Sequence, residues 1–370
     1  MRSRMPEIRT VPVADIELPM ELSRLYDIVY NLWWTWSPRA HLLFSAIDPV
    51  RWKPPPVVPL PEFGPAELTI VGMPGDAPED IVVDTDGALW TGLVDGRIVR
   101  IGQDGTVAVV GQTTGRPLGM TVARDGRLLI CTSPGGLMAM DRSTGVTEVL
   151  VDAVDFRPLN FCSNVVELPD GTIYFTQSTA KFTYGHFKGA IIEARGDGGL
   201  FRRDPDGTVS TVLDHLYFAN GLTATMDGTA LVFAETQGRR LSKYWLTGPK
   251  AGTVTPLAEH LSAMPDNIST GSTGWIWVAM VSEVNAAADA LAPRAPWLRK
   301  LVWALPDRMQ PQIAPEVYAV AFDPDTGAAV AGVRMKRPDF GVVTGLVEHQ
   351  GRLWMSSIGF PAVAYCPIPG

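Results

Sequence analysis

Four short strings in this chain each carry a polar, oxygen-bearing residue inside an otherwise apolar stretch. They are Pro78-Glu79-Asp80, Phe161-Cys-Ser-Asn164-Val165, Phe218-Ala-Asn220-Gly221 and Pro265-Asp266-Asn267-Ile268. Each leads into a short apolar strand and then a tight glycine turn. If the four strings sit at one height of a repeating scaffold, five side chains meet: Glu79, Asn164, Asn220, Asp266 and Asn267. Two carboxylates with several carboxamide oxygens form the ligand set of a hard divalent cation, above all Ca²⁺, which takes six to eight oxygens in flexible geometry. Zinc is disfavoured because no histidine or cysteine enters the set. Two carboxylates converging in a narrow channel repel and lose hydration, so the grouping itself asks for a counter-charge.

The scaffold that could gather these residues is visible as a repeat. Six times a glycine turn precedes a strand with a large apolar residue. The instances are Asp86-Gly-Ala-Leu-Trp90, Asp125-Gly-Arg-Leu-Leu-Ile130, Asp170-Gly-Thr-Ile-Tyr-Phe175, Asp227-Gly-Thr-Ala-Leu-Val-Phe233, Gly274-Trp-Ile-Trp277 and Gln350-Gly-Arg-Leu-Trp354. Asp-Gly suits a type I′ hairpin turn, in which both central residues have φ > 0. The first and last turn glycines, Gly87 and Gly351, are 264 residues apart, about 53 per interval. That is close to the unit of a propeller blade, a four-stranded sheet. A β-sandwich with regular hairpins is the lesser alternative. The expectation is an all-β, six-bladed β-propeller over residues 57–370. It would be preceded by a helical extension and Pro-rich linker at 1–56 and interrupted by a helical insertion at 282–315 in the fifth blade. Insertions in repeat proteins fall on one face, often the binding face. In the extension, Leu22, Leu25, Val29, Leu32 and Trp36 fall on one helical face. Trp33, Trp34 and Trp36 suit pinning that helix to the rest of the protein better than stacking on a sugar.

Composition narrows the function classes. The 370 residues include 36 Gly and 31 Pro, 46% hydrophobic residues and a net charge of −8. The apolar fraction excludes disorder, and the acidic balance leaves no basic surface for nucleic acid. No apolar run approaches the roughly 20 residues that span a bilayer, and no secretory h-region follows the first residues. The three cysteines, Cys131, Cys162 and Cys366, form no metal-binding motif. They read as reduced, buried thiols of a cytoplasmic protein. The partner expected is a small-molecule substrate, not nucleic acid or membrane; oligomeric state stays open.

Residues 66–370 resemble the strictosidine-synthase-like branch of the senescence-marker/gluconolactonase and paraoxonase superfamily of six-bladed propellers. The strings that carry the resemblance are Gly115-Arg-Pro-Leu-Gly-Met120, Gly171-Thr-Ile-Tyr-Phe-Thr176, Phe218-Ala-Asn-Gly221, Lys243-Tyr-Trp-Leu-Thr-Gly-Pro-Lys-Ala-Gly252 and Met264-Pro-Asp-Asn-Ile268. The resemblance implies one catalytic calcium held by Glu79, Asn164, Asn220, Asp266 and Asn267. It also shows departures. Leu118 stands where paraoxonase-like lactonases place a catalytic His, and Thr344 stands where strictosidine synthase uses a Glu. Val165 replaces the partner that Asp80 would need for a second, structural calcium. A separate segment, Leu22–Trp52, resembles the N-terminal region of bacterial α-glucan phosphorylases, without the catalytic machinery.

These readings converge on a Ca²⁺-dependent hydrolase of a lactone or activated ester. The metal would act as Lewis acid, Asp266 as the first candidate base, and His186 or Tyr184, in the long loop after the third turn, as alternatives. Ser163 and Thr176 lack a Gly-x-Ser-x-Gly setting. Trp297, Leu298 and Trp303 of the insertion suggest a bulky hydrophobic substrate. The rivals are a metal-assisted isomerase, cyclase or lyase on the same site, and a non-catalytic binding scaffold.

Overall fold

A computed structural model describes residues 47–294, 296–305 and 309–370. The expected helices before residue 47 lie outside the described residues.

Six four-stranded antiparallel sheets follow one another around an axis. Blade 1 comprises Ile81–Val83, Leu89–Gly92, Arg97–Ile101 and Val107–Gln112, and blade 2 comprises Arg116–Val122, Leu128–Ser133, Gly136–Met140 and Thr147–Val151. Blade 3 contains Cys162–Glu167, Ile173–Gln177, Gly198–Arg203 and Val209–Leu216, and blade 4 contains Ala219–Ala224, Ala230–Glu235, Arg240–Trp245 and Val254–Ala258. Blade 5 is built from Ala263–Thr270, Ile276–Glu283, Glu316–Phe322 and Ala329–Lys336. Blade 6 takes three strands from the C-terminal end, Val343–His349, Arg352–Ser357 and Ala362–Pro367. Its outer strand, Thr69–Gly72, comes from the N-terminal side and pairs Thr69 with Tyr365 through Gly72 with Ala362. That exchange closes the ring, leaving no open seam between first and last blades.

The second strands are the most apolar and lie buried along their length: Leu128–Ser133, Ile173–Gln177 and Ala230–Glu235 have no exposed residue. Apolar side chains fill the seams between blades, as where Trp277, Ala279 and Val317 of blade 5 meet Leu346, Leu353 and Met355 of blade 6. Burial on both faces accounts for the continuous hydrophobic runs at these positions.

The glycine turns lie where the repeat places them, between the first and second strands of each blade, but their type differs from expectation. At Gly87, Gly126, Gly171, Gly228 and Gly274 the glycine alone has positive φ, between 68° and 88°. Each donates its N–H to the carbonyl three residues earlier, as Gly87 does to Asp84 at 2.9 Å. In the four Asp-Gly turns the Asp is not left-handed; its carboxylate instead accepts the N–H two residues on, as Asp86 does from Ala88 at 2.9 Å and Asp170 from Thr172 at 2.9 Å. Asp therefore serves as a local acceptor, and only Gly supplies the left-handed residue. Gln350-Gly351, with φ of 50° and 71°, is the pair in which both residues adopt the conformation expected of the Asp-Gly pairs.

Two segments rise from the blades on one side. Between the second and third strands of blade 3 the chain forms a 3₁₀ turn, Tyr184–His186, and helix α1, Phe187–Glu193. Between the second and third strands of blade 5 lie α2, Ala286–Leu291, and α3, Pro296–Ala304. The stretch from Ile47 to Trp52 is laced to both. Val50 N–H donates to Glu193 O at 3.0 Å, Trp52 N–H donates to Ala292 O at 3.2 Å, and Arg299 donates to the carbonyls of Ile192 and Val50. No helix among the described residues is long and apolar enough to cross a membrane.

Candidate metal and substrate centre

In blades 2 to 6 the innermost strand carries one extra residue at the same place. Pro117 pairs with Thr132 and Met120 with Ile130, so three steps on the inner strand match two on its neighbour. The same shift occurs between Cys162 and Val165, Ala219 and Leu222, Pro265 and Ile268, and Val343 and Leu346. A bulge of this kind turns side chains out of the ordinary alternation. The bulged pairs are Leu118-Gly119, Ser163-Asn164, Asn220-Gly221, Asp266-Asn267 and Thr344-Gly345. Glu79-Asp80, just before the innermost strand of blade 1, occupies the equivalent place. The four sequence strings thus carry their polar residues to one ring, though not all to one position of the pair. Glu79, Asn220 and Asp266 are first; Asn164 and Asn267 are second.

Glycines at the second position of blades 2, 4 and 6 make room for the polar residues of their neighbours. A Cβ on Gly119 would lie 2.7 Å from Asn164 Cα, one on Gly221 2.5 Å from Asp266 O, and one on Gly345 2.7 Å from Asp80 Oδ1. Hydroxyls then fix the backbone between blades. Thr176 donates to Asn220 O at 2.7 Å, Thr236 to Pro265 O at 2.7 Å, and Thr344 and Ser356 to Glu79 O at 2.6 and 2.7 Å.

The five candidate ligands are buried and linked. Asn164 Nδ2 donates to Asn267 Oδ1 at 3.1 Å, and Asn267 Nδ2 donates to Glu79 Oε1 at 3.3 Å. Asn220 Nδ2 donates to Asp266 Oδ1 at 2.6 Å and to Thr236 Oγ1 at 3.1 Å, while its Oδ1 accepts from Ser163 at 3.0 Å. Glu79 Oε2 has no hydrogen-bond partner among the described residues although it is buried. Asp80 is different, because both its oxygens are taken by backbone N–H groups, Ile81 at 2.9 Å and Met120 at 2.8 Å.

Burial dominates the electrostatics. It pushes the Glu79 carboxyl well above the usual carboxylate range, and the charges of Asp80 and Asp266 push further while Arg116 and the Asn267 hydrogen bond pull back. Burial also raises Asp80 to about 7 against the Met120 and Ile81 N–H groups. Asp266 is raised by burial to about 7 despite the Asn220 hydrogen bond. Three buried carboxyl groups that raise one another's pKa ask for a countercharge, which a bound cation would supply.

The remaining candidates separate. Tyr184 is half-buried and packs against Phe161, ring centroids 5.8 Å apart. Burial raises its hydroxyl to about 12, Arg116 opposes this, and Glu79 and Asp266 add to it. His186 is exposed, its ring 6.4 Å from that of Trp303, and it makes no described contact with the five. Trp303 is buried, whereas Trp297 is 60% exposed.

Arg116 was not singled out by type or spacing, although it lies in the Gly115-Arg-Pro-Leu-Gly string. It is buried, its guanidinium lies 3.9 Å from the Tyr184 ring centroid, and it donates to Ala77 O at 3.2 Å. Its Nε has no partner among the described residues. Ser163 and Thr236, which orient Asn220, were likewise not assigned; Ser163 stands beside Asn164 in its string, whereas Thr236 is 16 residues from Asn220 and leaves no local signal.

Residues 164–249 match the family model described as strictosidine synthase, and residues 66–101 match strictosidine synthase-like, N-terminal. STRICTOSIDINE SYNTHASE-LIKE 6 of Arabidopsis thaliana is 33% identical over 274 residues, 72% of each chain. The chain belongs to the strictosidine synthase-like family. In this strictosidine synthase-like chain the two matched regions contain Glu79, Asn164 and Asn220, while Asp266 and Asn267 lie beyond them. Residues 18–70 match a family described as a protein of unknown function (DUF3417), a match that names no phosphorylase. Among solved structures, a gluconolactonase from Xanthomonas campestris superposes with a TM-score of 0.61 at 19% identity, covering 88% of this chain and 98% of its own. A calcium-binding protein, regucalcin, from Agrobacterium tumefaciens superposes at 0.59 and 16% identity, covering 84% and 96%. At those identities the likeness is one of fold.

Proposed function

We propose that this strictosidine synthase-like propeller is a calcium-dependent hydrolase of hydrophobic lactones or activated esters. The observation that carries the reading is the orphaned, buried Glu79 Oε2, beside side chains from blades 3, 4 and 5 that already touch one another. The donor set suits calcium: two carboxylates for charge, and three carboxamides that can turn oxygen inward by a half-turn of the last torsion. Glu79, Asn164, Asn220, Asp266 and Asn267 would hold the ion. Calcium, when bound, supplies Lewis-acid polarisation of the substrate carbonyl.

The chain supplies the rest. Asp266 takes the proton of the attacking water at its carboxylate, the part of a general base. Before the ion binds, Asn220 holds that carboxylate through its 2.6 Å hydrogen bond, and Ser163 and Thr236 hold Asn220. Arg116 presents a buried cation beside Tyr184. Leu118, Phe161 and Phe218 lie in one buried apolar cluster with Trp303, and Tyr184 packs against it. Such a wall excludes water and favours an apolar acyl or alkyl group over a hydroxylated sugar ring. Names of related propellers, a gluconolactonase and a calcium-binding protein, support the reading at the level of class.

The test is hydrolysis of a panel of aryl esters and of γ- and δ-lactones with increasing alkyl chains, in calcium and in EDTA. Activity that rises with chain length and disappears in EDTA is the expected result. Equal activity in EDTA would remove the metal from the reaction.

A further inference from the structure

The thiols of Cys131 and Cys162 are the described nucleophilic pair that the proposed chemistry does not use. Cys131 lies within the second strand of blade 2, and Cys162 opens the innermost strand of blade 3. The Cys162 thiol donates to Cys131 Sγ at 3.0 Å, 31 positions away in sequence. Both residues are fully buried, among Leu118, Leu129, Leu137, Phe161 and Phe175. The sulfurs are about 1 Å farther apart than the ~2.05 Å of a disulfide bond. The third cysteine, Cys366, belongs to blade 6.

We propose that Cys131 and Cys162 form a redox couple, closed by hydrogen peroxide into a disulfide that staples blade 2 to blade 3. Burial selects the oxidant: hydrogen peroxide is small and uncharged, whereas a peptide disulfide such as oxidised glutathione is too large to enter between packed blades. One sulfur attacks a peroxide oxygen, the O–O bond breaks, and water leaves with that thiol's proton, giving a sulfenic acid. The second sulfur attacks the sulfenic sulfur, the S–O bond breaks, and a second water leaves with the second proton. Two thiols lose two hydrogens and two electrons, and the peroxide is reduced to two waters. The staple joins neighbouring blades two residues before Asn164, so the seam carrying that side chain becomes covalent.

The experiment uses the reduced, folded, wild-type chain and hydrogen peroxide, followed by denaturation, alkylation and peptide mapping. The expected product has lost two hydrogens, keeps one alkylatable thiol at Cys366, and yields the cross-linked Cys131 and Cys162 peptides. Its Tm is expected to exceed that of the reduced form by about 3 °C or more. C366S should give the same cross-link and C131S none. Met226, 61% exposed, reports oxidant dose through its sulfoxide. If Met226 is oxidised while all three thiols remain alkylatable, the proposal is wrong. It is also wrong if sulfinic acids form in place of the disulfide, or if the cross-link appears only in urea.

Discussion

Asn220 Nδ2 donates to Asp266 Oδ1 at 2.6 Å, binding the bulge of blade 4 to the bulge of blade 5. Neither residue reaches the other through its own sheet; the contact exists because both inner strands carry an extra residue at the same height. Asp266→Asn keeps the shape and removes one negative charge. Calcium affinity by titration calorimetry should fall at least tenfold, and ester or lactone turnover by about 100-fold or more. The far-UV spectrum should be unchanged. His186→Asn, by contrast, should leave turnover within about twofold, since that ring is exposed and away from the carboxylates.

Removing the metal should destabilise the fold. At calcium one hundred times its Kd, linkage contributes about 2.7 kcal/mol. For a chain of this size that is several degrees of Tm, roughly 5 °C. Thermal melts in calcium and in EDTA measure it directly. Coincident melts would favour a propeller that binds partners without catalysis.

Much of the ring was legible in the sequence because each blade repeats its own turn: Gly87, Gly126, Gly171, Gly228 and Gly274 each leave a signature. The ligand strings were legible because a lone Asn or Asp inside apolar neighbours is costly unless something receives it. Gly119, Gly221 and Gly345 were opaque, since their task is to leave space for a residue of the next blade, a contact with no local pattern. Arg116 was opaque for the same reason: its stacking on Tyr184 joins blade 2 to a loop of blade 3. The turn type was misjudged because Asp-Gly serves both a type I′ turn and a turn in which Asp caps through its side chain, and only the register distinguishes them.

The metal-free protein should show an inverted pH dependence at its centre. Asp80 and Asp266 are raised to about 7, and Glu79 is raised well above its usual value, each chiefly by burial. Between the ordinary carboxylate range near 4 and about 7, the folded protein holds protons that the unfolded chain has released. The stability these groups contribute is therefore complete below about pH 4 and is lost as pH rises toward 7. In chelator, Tm should fall between pH 5 and 7.5. Saturating calcium should flatten the trend by favouring the ionised form, and Asp266→Asn should make it shallower without calcium.

Gly221 offers the sharpest separation of ring geometry from general stability. A Cβ there would meet Asp266 O and Ile268 N, each at 2.5 Å, and backbone atoms cannot swing aside as a side chain would. Gly221→Ala must therefore push the blade 5 bulge outward, at a cost of about 1–3 kcal/mol, the usual price of overpacking. Gly228→Ala is the matched control. It sits one turn away in the same blade at φ 68°, with nothing within 4 Å, and should cost about 1 kcal/mol through its backbone alone. If the bulges position the ligands, Gly221→Ala should lose calcium affinity beyond what its denaturation midpoint accounts for, while Gly228→Ala keeps it. Equal affinity in both variants would show that Asp266 and Asn267 hold their places without the space Gly221 leaves, and the packing account of the ring would fail.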